Sequence, residues 1–285
     1  MAEEKQETEN KPVTTISSEE QLAEATMKKI VEGLMNNGKL IVLGVNGSGK
    51  TNAVFYITRY LMNTKEYKEN RLRIRICDSV GIWRWTFDKV AFLDTSKSRN
   101  MPEDEGTLIL DLPFSDTDIN TGIIEALVRS DYVKQREDMI KNNGQASMIR
   151  TTIIEEAQNV LQSGKQSKFW LKMLSESRNQ KMFMIFICQR LADLSTRAVE
   201  RCKYWIMGNV VGDNDEAKLR RAFGKRGKAI VEVLMSLQRG EFLFLDRENP
   251  ELAFKIKFPL FVQNGVPYEW NEKANGSIRV ERVFV

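Results

Sequence analysis

A glycine-rich turn at residues 44–51, with the sequence GVNGSGKT, constrains this chain more than any other feature. The apolar residues 40–43 precede it and predict a buried strand, and residues 52–63 carry apolar side chains at helical spacing. A strand, a glycine-rich turn and a helix in this order are typical of a loop whose backbone N–H groups surround a polyphosphate. The positive end of the helix dipole adds to the attraction. The chain is therefore predicted to contain a nucleoside triphosphate site, and the flanking elements argue against an ordinary glycine turn.

Within this turn the residue types indicate particular roles. Lys50 is expected to reach the β- and γ-phosphates, and the Thr51 hydroxyl is expected to ligate Mg²⁺. The predicted cofactors are ATP and Mg²⁺. The residues predicted to bind the nucleotide are Gly44, Asn46, Gly47, Ser48, Gly49, Lys50, Thr51 and Asn52.

Composition excludes several other chemistries. The 285 residues include no histidine, which rules out histidine catalysis and histidine metal ligands. Cys77, Cys188 and Cys202 are scattered, so they favour a reducing compartment over a disulfide framework, and we expect a cytoplasmic protein. No apolar stretch approaches the roughly 18–20 residues of a membrane span, so no membrane insertion is expected. The net charge is only +4, so nucleic-acid contacts would have to come from local patches.

The chain divides into four predicted parts. Residues 1–17 are polar and acidic and predict a disordered tail, and residues 18–37 predict an N-terminal helix. Residues 38–248 alternate between strands and helices, which predicts an α/β domain with a mostly parallel sheet and helices on both faces. Residues 249–285 predict a β-rich extension. Predicted strands are 39–44, 72–77, 107–112, 151–155, 182–188, 204–210 and 241–246; predicted helices are 50–63, 118–141, 166–179, 191–201, 214–223 and 228–237.

Two adjacent carboxylates lie at the end of a strand predicted at 151–155. Because neighbouring side chains on a strand point to opposite sides, Glu155 is predicted to bind Mg²⁺ and Glu156 to polarise the attacking water. Two acids at a helix N-terminus, where they favour the dipole, are a compatible alternative. Gln189 follows the next predicted strand, where its amide suits a sensor of the γ-phosphate.

Four segments together resemble the HerA/FtsK superfamily of DNA-pumping ATPases. They are GVNGSGKT, IIEEAQNVL, MFMIFICQRLADLS and QRGEFLFL, and they occur in this order within residues 38–260. The resemblance implies a RecA-like P-loop core and Mg²⁺-dependent ATP hydrolysis stimulated by DNA. It also implies a homo-hexameric ring with double-stranded DNA in its pore.

The resemblance also implies an arginine that reaches into the ATP site of a neighbouring subunit. Arg178 precedes the strand that ends at Gln189, at the offset such motors show, and it would stabilise charge on the transferring phosphoryl group. A solvated cation at a helix end is the alternative interpretation. Arg197 and Arg201 are further candidates for the same role.

Three departures from the family pattern affect the expected role. Glu155 stands where aspartate is commoner, and Gln158 stands where HerA-type sequences have histidine. Because only residues 1–37 precede the first predicted strand, we expect the barrel domain that precedes the motor in HerA proteins to be absent. Compact members of the superfamily package viral genomes and others serve plasmid transfer, so a capsid or portal-type partner is expected, in the host cytoplasm if the protein is viral.

Two basic segments are candidates for contact with DNA. Arg71, Arg73 and Arg75 alternate with apolar residues, which predicts a basic stripe on one strand face. Such a stripe suits phosphate contacts or a subunit contact, and the charged face of an edge strand is the alternative. A second group suits phosphate contacts without sequence preference, although a solvated basic helix end is equally compatible. Its members are Arg220, Arg221, Lys225, Arg226 and Lys228. Trp83 and Trp85 are interpreted as packing residues rather than base-stacking residues.

The sequence as a whole favours an ATP-driven double-stranded DNA translocase that works as a ring, with viral genome packaging as its role. A DNA-associated switch or initiator ATPase, acting by nucleotide-dependent assembly, is the alternative. Glu156 and Gln189 weaken it because they equip the site for turnover. A small-molecule P-loop kinase is a third possibility, which the EEAQ segment and the glutamine that follows argue against.

Overall fold

One ten-stranded sheet runs through the described part of the chain. The computed structural model describes residues 18–87, 90–98, 106–112, 116–162, 164, 167–209, 212–249, 251, 253–260 and 277–285. The tail predicted at residues 1–17 lies outside these ranges. The strands are β1 Lys39–Leu43, β2 Leu72–Asp78, β3 Ala91–Asp94, β4 Thr107–Asp111, β5 Ile149–Ile154, β6 Met182–Cys188, β7 Tyr204–Met207, β8 Glu241–Asp246, β9 Ala253–Lys257 and β10 Arg279–Val283.

The strand order is β10-β9-β8-β7-β1-β6-β5-β2-β4-β3. Neighbouring strands from β7 to β3 in this order pair in parallel. β8, β9 and β10 continue the sheet beyond β7 with antiparallel pairings. The predicted α/β class with a mostly parallel sheet is therefore confirmed, and the strands of the C-terminal segment belong to the same sheet as the core.

The helices cover both faces of the sheet, as the parallel topology requires. Among the described helices, none is both long and apolar enough to cross a lipid bilayer. Short 3-10 helices lie at Trp83–Trp85, Ser177–Gln180, Leu191–Asp193 and Gly224–Arg226. The α-helices are α1 Ser18–Asn37, α2 Lys50–Met62, α3 Lys65–Lys68, α4 Thr117–Lys141, α5 Gln158–Leu161, α6 Lys168–Glu176, α7 Thr196–Arg201, α8 Asp213–Phe223 and α9 Gly227–Ser236.

Alternation along the strands divides the hydrophobic core into two layers. On β1, Leu40 and Val42 pack with residues of α1 and α2. Ile41 and Leu43 point to the other face and pack with residues of α4, α6, α7 and α9. β1 is buried at every position, because parallel strands covered on both faces expose no side to water.

The parallel arrangement brings the carboxyl ends of β1, β6, β5 and β2 to one edge of the sheet. The glycine-rich turn follows β1, Glu155 follows β5, and Gln189 follows β6. Short elements that the sequence did not predict include β3, α3 and α5. β3 has only four residues and lies at the sheet edge, so its period-2 pattern is too short to distinguish from a loop.

Candidate nucleotide-binding site

The glycine-rich turn connects β1 to α2 and depends on glycine at three positions. Gly47 and Gly49 have φ angles of 76° and 97°, in the left-handed region that favours glycine. At Gly44 the backbone is not left-handed, but an added Cβ would lie 2.7 Å from Ser48 Oγ. These glycines allow the loop to close tightly on itself before α2 begins.

Backbone hydrogen bonds from neighbouring strands hold this loop in place. Val45 N–H donates to Asn209 O at 3.2 Å, and Gly240 N–H donates to Ser48 O at 3.0 Å. Asn209 follows β7 and Gly240 precedes β8, so the antiparallel side of the sheet supports the loop. Ser48 Oγ is buried and has no hydrogen-bond partner among the described residues, which suits contact with a phosphate oxygen.

Lys50 is the first residue of α2, and its side chain folds back over the loop. Its Nζ donates to Val45 O at 3.0 Å. Burial lowers the pKa of Lys50, and the nearby Glu155 carboxylate acts in the opposite direction. A polyphosphate oxygen would be a stronger, charge-assisted acceptor for this ammonium group than the Val45 carbonyl.

Glu155 directly follows β5 and is 3% exposed. Trp83 Nε1–H donates to Glu155 Oε1 at 3.0 Å, and the Thr51 side chain also hydrogen-bonds to this carboxylate. Burial raises the pKa of Glu155 to about 7. The two hydrogen bonds act in the opposite direction but do not cancel the effect of burial. A hydroxyl and a carboxylate side by side are the oxygen donors that Mg²⁺ prefers, and a cation would offset the burial of the charge. Thr51 and Glu155 therefore fit a Mg²⁺ site.

Glu156 has different hydrogen-bond partners from Glu155, and the backbone between them is not the continuous strand that was predicted. β5 ends at Ile154, and Glu156 has a φ angle of 51°, so a left-handed turn separates the two carboxylates rather than strand alternation. Gln189 Nε2 donates to Glu156 Oε1 at 2.7 Å, and Gln158 Nε2 donates to Glu156 Oε2. Two amides therefore fix both carboxylate oxygens of Glu156 in a backbone conformation that is uncommon outside glycine.

Asp78 is a site residue that the sequence analysis missed. It ends β2, is fully buried, and accepts hydrogen bonds from Val80 N at 3.0 Å, Gly81 N at 2.8 Å and Trp83 N at 2.9 Å. Burial raises the pKa of Asp78, and these backbone hydrogen bonds lower it. The turn that Asp78 organises places the Trp83 indole against Glu155. The signal in the sequence was an acid at the end of an apolar strand, followed by Ser-Val-Gly.

Trp83 is fully buried and packs edge-on against Phe55, with ring centroids 4.6 Å apart. Its interpretation as a packing residue is consistent with this position, although its N–H also reaches Glu155. Asn52 contacts the segment after β9, because its Nδ2 donates to Pro259 O at 2.9 Å. The residues after β9 thus lie beside the start of α2. Asn46 is exposed on the loop.

Arg178 lies far from the glycine-rich turn of its own chain. It is exposed, in the 3-10 helix Ser177–Gln180 before β6, whereas Gln189 lies just beyond the other end of β6. At about 3.3 Å per residue, the seven residues of β6 separate the two by about 20 Å. Arg197 and Arg201 are also exposed and lie on α7, which precedes β7. The length of β6 therefore keeps Arg178 away from the site of the same chain.

The basic stripe on β2 differs from its prediction. β2 lies between β4 and β5, so it is not an edge strand. Arg75 is 3% exposed, and its Nη1 donates to Ile74 O at 3.3 Å, so the prediction that it contacts DNA is wrong. Arg71 is exposed but pairs with Glu69 at 2.6 Å, and Arg73 Nη1 donates to Asn70 O at 3.0 Å.

The second basic group lies on α8, the following 3-10 helix and the start of α9. Three of its members pair with acids: Arg220 with Glu216 at 2.5 Å, Arg226 with Glu251 at 3.3 Å and Lys228 with Glu232 at 3.9 Å. Arg221 and Lys225 are exposed and make no ion pair with a described residue. These two cations remain the best placed of the group to contact a phosphate backbone.

Comparison with solved structures places this architecture among known folds. The genome packaging NTPase B204 from Sulfolobus turreted icosahedral virus 2, in complex with AMPPCP, matches with a TM-score of 0.55 and 14% identity, over 75% of this chain and 95% of B204. Its sulfate complex matches with a TM-score of 0.56 over 80% of this chain and 99% of B204, again at 14% identity.

A second kind of relative is the cytoplasmic domain of the type VII secretion ATPase EccC from Thermomonospora curvata. It matches with a TM-score of 0.54 and 12% identity, over 73% of this chain and 24% of EccC. No protein-family model matches the chain, and no curated protein matches it. The likeness therefore concerns the fold, which is that of RecA-like P-loop ATPases.

Proposed function

Because the chain has the fold of FtsK/HerA-type P-loop ATPases, we propose that it is a Mg²⁺-dependent ATPase that moves double-stranded DNA. We propose further that it works as a homo-hexameric ring and packages a viral genome. One observation carries the proposal: Lys50, Thr51, Glu155, Glu156 and Gln189 meet at the carboxyl edge of the sheet. These side chains supply the groups that ATP hydrolysis needs.

Nucleotide binding would rest on the glycine-rich turn. Its backbone N–H groups and the N-terminus of α2 favour the charge of a triphosphate. The Lys50 ammonium would exchange the Val45 carbonyl for phosphate oxygens, and Ser48 Oγ would gain a partner that it lacks among the described residues. Thr51 and Glu155 would hold Mg²⁺, which neutralises charge on the phosphates when bound.

Hydrolysis would rest on Glu156. Its carboxylate is held by Gln158 and Gln189, so it is oriented before substrate arrives. It would accept a proton from the attacking water while the new P–O bond forms at the γ-phosphorus. The bond to the β–γ bridging oxygen breaks and its electron pair leaves with ADP. Gln189 would sense the γ-phosphate, because contact with that group competes with its hydrogen bond to Glu156.

The position of Arg178 supports action between subunits. It lies at the amino end of β6, about 20 Å from the site of its own chain, and its guanidinium is exposed. A head-to-tail ring joins two different surfaces of neighbouring copies, and we propose that the amino edge of one sheet faces the carboxyl edge of the next. Arg178 would then stabilise the charge on the phosphoryl group in the neighbouring site.

Two observations support DNA as the transported polymer. Arg221 and Lys225 form an exposed pair of cations suited to phosphate contacts that ignore sequence. The chain also matches nearly the full length of B204, a genome packaging NTPase. A capsid or portal-type partner would follow from that role.

The test is the steady-state ATPase rate with and without long linear duplex DNA, together with the oligomeric state by light scattering. The proposal predicts an assembly whose rate rises with duplex and is lost in Lys50→Ala. A nucleotide-dependent assembly without DNA-stimulated turnover would instead support a switch ATPase. A strict monomer under all conditions would contradict both.

A further inference from the structure

The segment that follows Gln189 is held by α8 through both polar groups of one residue's backbone. Ala192 N–H donates to Asp215 Oδ1 at 2.7 Å, and Lys218 Nζ donates to Ala192 O at 3.2 Å and also to Leu194 O. Asp215 is 1% exposed, so its carboxylate has exchanged water for this contact. Hydrogen bonds that involve a charged group are the stronger ones, so these three fix residues 191–194 to the helix.

The same segment is also tied to α5. Ser195 N–H donates to the carbonyl oxygen of Leu161, the last residue of α5, at 2.7 Å. Gln158 begins α5 and donates to one carboxylate oxygen of Glu156, and Gln189 donates to the other. The two amides that hold this carboxylate therefore come from chain segments that meet at residues 191–195.

Lys218 is a basic residue of α8 whose ammonium group is turned toward the protein. Arg221 is exposed and lies three positions further along α8, which makes the two side chains neighbours on the helix surface. Burial lowers the pKa of Lys218 and the charge of Arg221 lowers it further, while the carboxylates of Asp193 and Asp215 act in the opposite direction. α8 thus carries a candidate phosphate contact beside the two residues that hold the segment after Gln189.

We propose that Asp215 and Lys218 are positioning residues that link duplex DNA bound at Arg221 to the Gln189 amide, and through that amide to the Glu156 carboxylate. The link rests on the proposed DNA-stimulated ATPase, and it supplies the route by which duplex controls that site. Neither residue touches the nucleotide or the reacting atoms.

The physical basis of the link is the joint movement of α8 and residues 191–194. A phosphate that binds Arg221 shifts α8, and the three hydrogen bonds make the segment follow the helix. Gln189 lies three residues before Ala192, so its amide moves with the segment. The shift favours contact of this amide with the γ-phosphate over its 2.7 Å hydrogen bond to Glu156. Duplex binding thereby leaves Glu156 Oε1 open to the attacking water.

Lys218→Met isolates the link, because it removes the ammonium group and keeps a side chain of similar length. We expect its affinities for ATP and for duplex to be retained, since the glycine-rich turn, Arg221 and Lys225 are unchanged. Its ATPase rate at saturating duplex should fall by about tenfold, the loss expected when hydrogen bonds from a charged donor are removed. Lys218→Arg keeps charged donors at this position and should retain most of the rate.

A matched pair of variants on α8 separates the contact from the charge of the helix. Asp215→Ala removes the acceptor of the Ala192 N–H. Asp213→Ala removes the same charge from the same first turn of α8, at an exposed position. Both variants lose a favourable interaction with the helix dipole, so this effect cancels in the comparison. Asp215→Ala should lose the stimulation by duplex, and Asp213→Ala should keep it.

A double-mutant cycle tests whether Lys218 acts through Gln189. Gln189→Ala should itself lower the ATPase rate at saturating duplex. Adding Lys218→Met to Gln189→Ala should then lower the rate by less than about twofold more, because the amide that Lys218 positions is already absent. A residue that only stabilises the fold would give losses that multiply.

Three results would overturn the proposal. Wild-type stimulation by duplex in Lys218→Met would show that the link is not used. Multiplying losses in the double variant would show that Lys218 does not act through Gln189. A lower duplex affinity with a wild-type rate at saturating duplex would make Lys218 a DNA contact. A wild-type protein whose ATPase rate does not respond to duplex would defeat the proposed function itself, which distinguishes that failure from the other three.

Discussion

The indole N–H of Trp83 donates a 3.0 Å hydrogen bond to Oε1 of Glu155, linking the turn after β2 to the acid after β5. Asp78 accepts a hydrogen bond from the Trp83 backbone, so three residues from two strand ends form one buried chain of contacts. This chain fixes the carboxylate that would hold Mg²⁺. We therefore expect the aromatic residue in this turn to affect chemistry as well as packing.

Trp83→Phe should keep the packing against Phe55 and remove the hydrogen bond to Glu155. We expect the ATPase rate to fall by about 10- to 100-fold, since hydrogen bonds to charged groups contribute roughly 1.5–3 kcal/mol. The pKa of Glu155 should also rise, which moves the acid limb of the pH–rate profile to higher pH. Trp205→Phe is the control, because Trp205 is equally buried but donates to Cys202 O away from the site. Equal loss of activity in both variants would show that Trp83→Phe acts by destabilising the fold and not through Glu155.

Glu155 should make stability without nucleotide depend on pH. Its pKa is about 7 in the folded protein and near its ordinary 4.5 in the unfolded chain, so between these values the folded state binds more protons. Stability from this group is therefore present at low pH and is lost as pH rises from 4.5 to about 7. Urea unfolding should show that the free energy of unfolding of the wild type falls by up to about 3 kcal/mol across this pH range. Glu155→Gln should abolish this fall. Parallel curves for the two proteins would contradict the raised pKa.

Gly44→Ala should weaken nucleotide binding because its Cβ would lie 2.7 Å from Ser48 Oγ, so that this hydroxyl must turn away from the phosphate position or the loop must shift. We expect at least about a tenfold loss of ATP affinity, which corresponds to about 1.4 kcal/mol. Gly122→Ala is the matched control, since it lies within α4 and an added Cβ there meets nothing within 4 Å. That variant should bind ATP normally and gain up to about 1 kcal/mol of stability. Equilibrium titration with a fluorescent ATP analogue checks both, and normal affinity in Gly44→Ala would disprove the steric account.

Glu156→Gln should separate binding from hydrolysis. The amide cannot accept the proton of the attacking water, so we expect a loss of about 100-fold or more in rate with ATP affinity retained. Lys50→Ala should lose both. Filter binding and single-turnover hydrolysis measure the two quantities separately. Turnover close to wild type in Glu156→Gln would remove Glu156 from the role of base.

Arg221→Gln and Lys225→Gln should weaken binding to duplex DNA without regard to sequence. Each should lower the slope of log affinity against log salt by about 1, because each removes one phosphate contact. Arg71→Gln is the control, since Arg71 already pairs with Glu69. Fluorescence anisotropy at several salt concentrations measures these slopes, and unchanged slopes in the first two variants would place the DNA elsewhere on the protein.

Local features of this molecule followed from its sequence, and long-range ones did not. The β1–turn–α2 unit was predictable because contiguous residues determine it. The burial of Arg75 was not predictable, because it follows from the pairing of β2 with β4 and β5. The link from Trp83 to Glu155 joins residues 72 positions apart, and no local pattern reports such a contact. Glu155 and Glu156 were recognised together, but the left-handed conformation of Glu156 and the Gln158 and Gln189 amides that hold its carboxylate were not predicted.

The central claim is that ATP hydrolysis at this site moves the protein along duplex DNA. The most direct measurement is displacement of a fluorescent triplex-forming strand from a linear duplex, followed after ATP addition. We predict displacement that needs hydrolysable ATP, with a lag that lengthens with the distance from the DNA end, and none with Lys50→Ala. DNA-stimulated hydrolysis without any triplex displacement, at every duplex length, would contradict translocation.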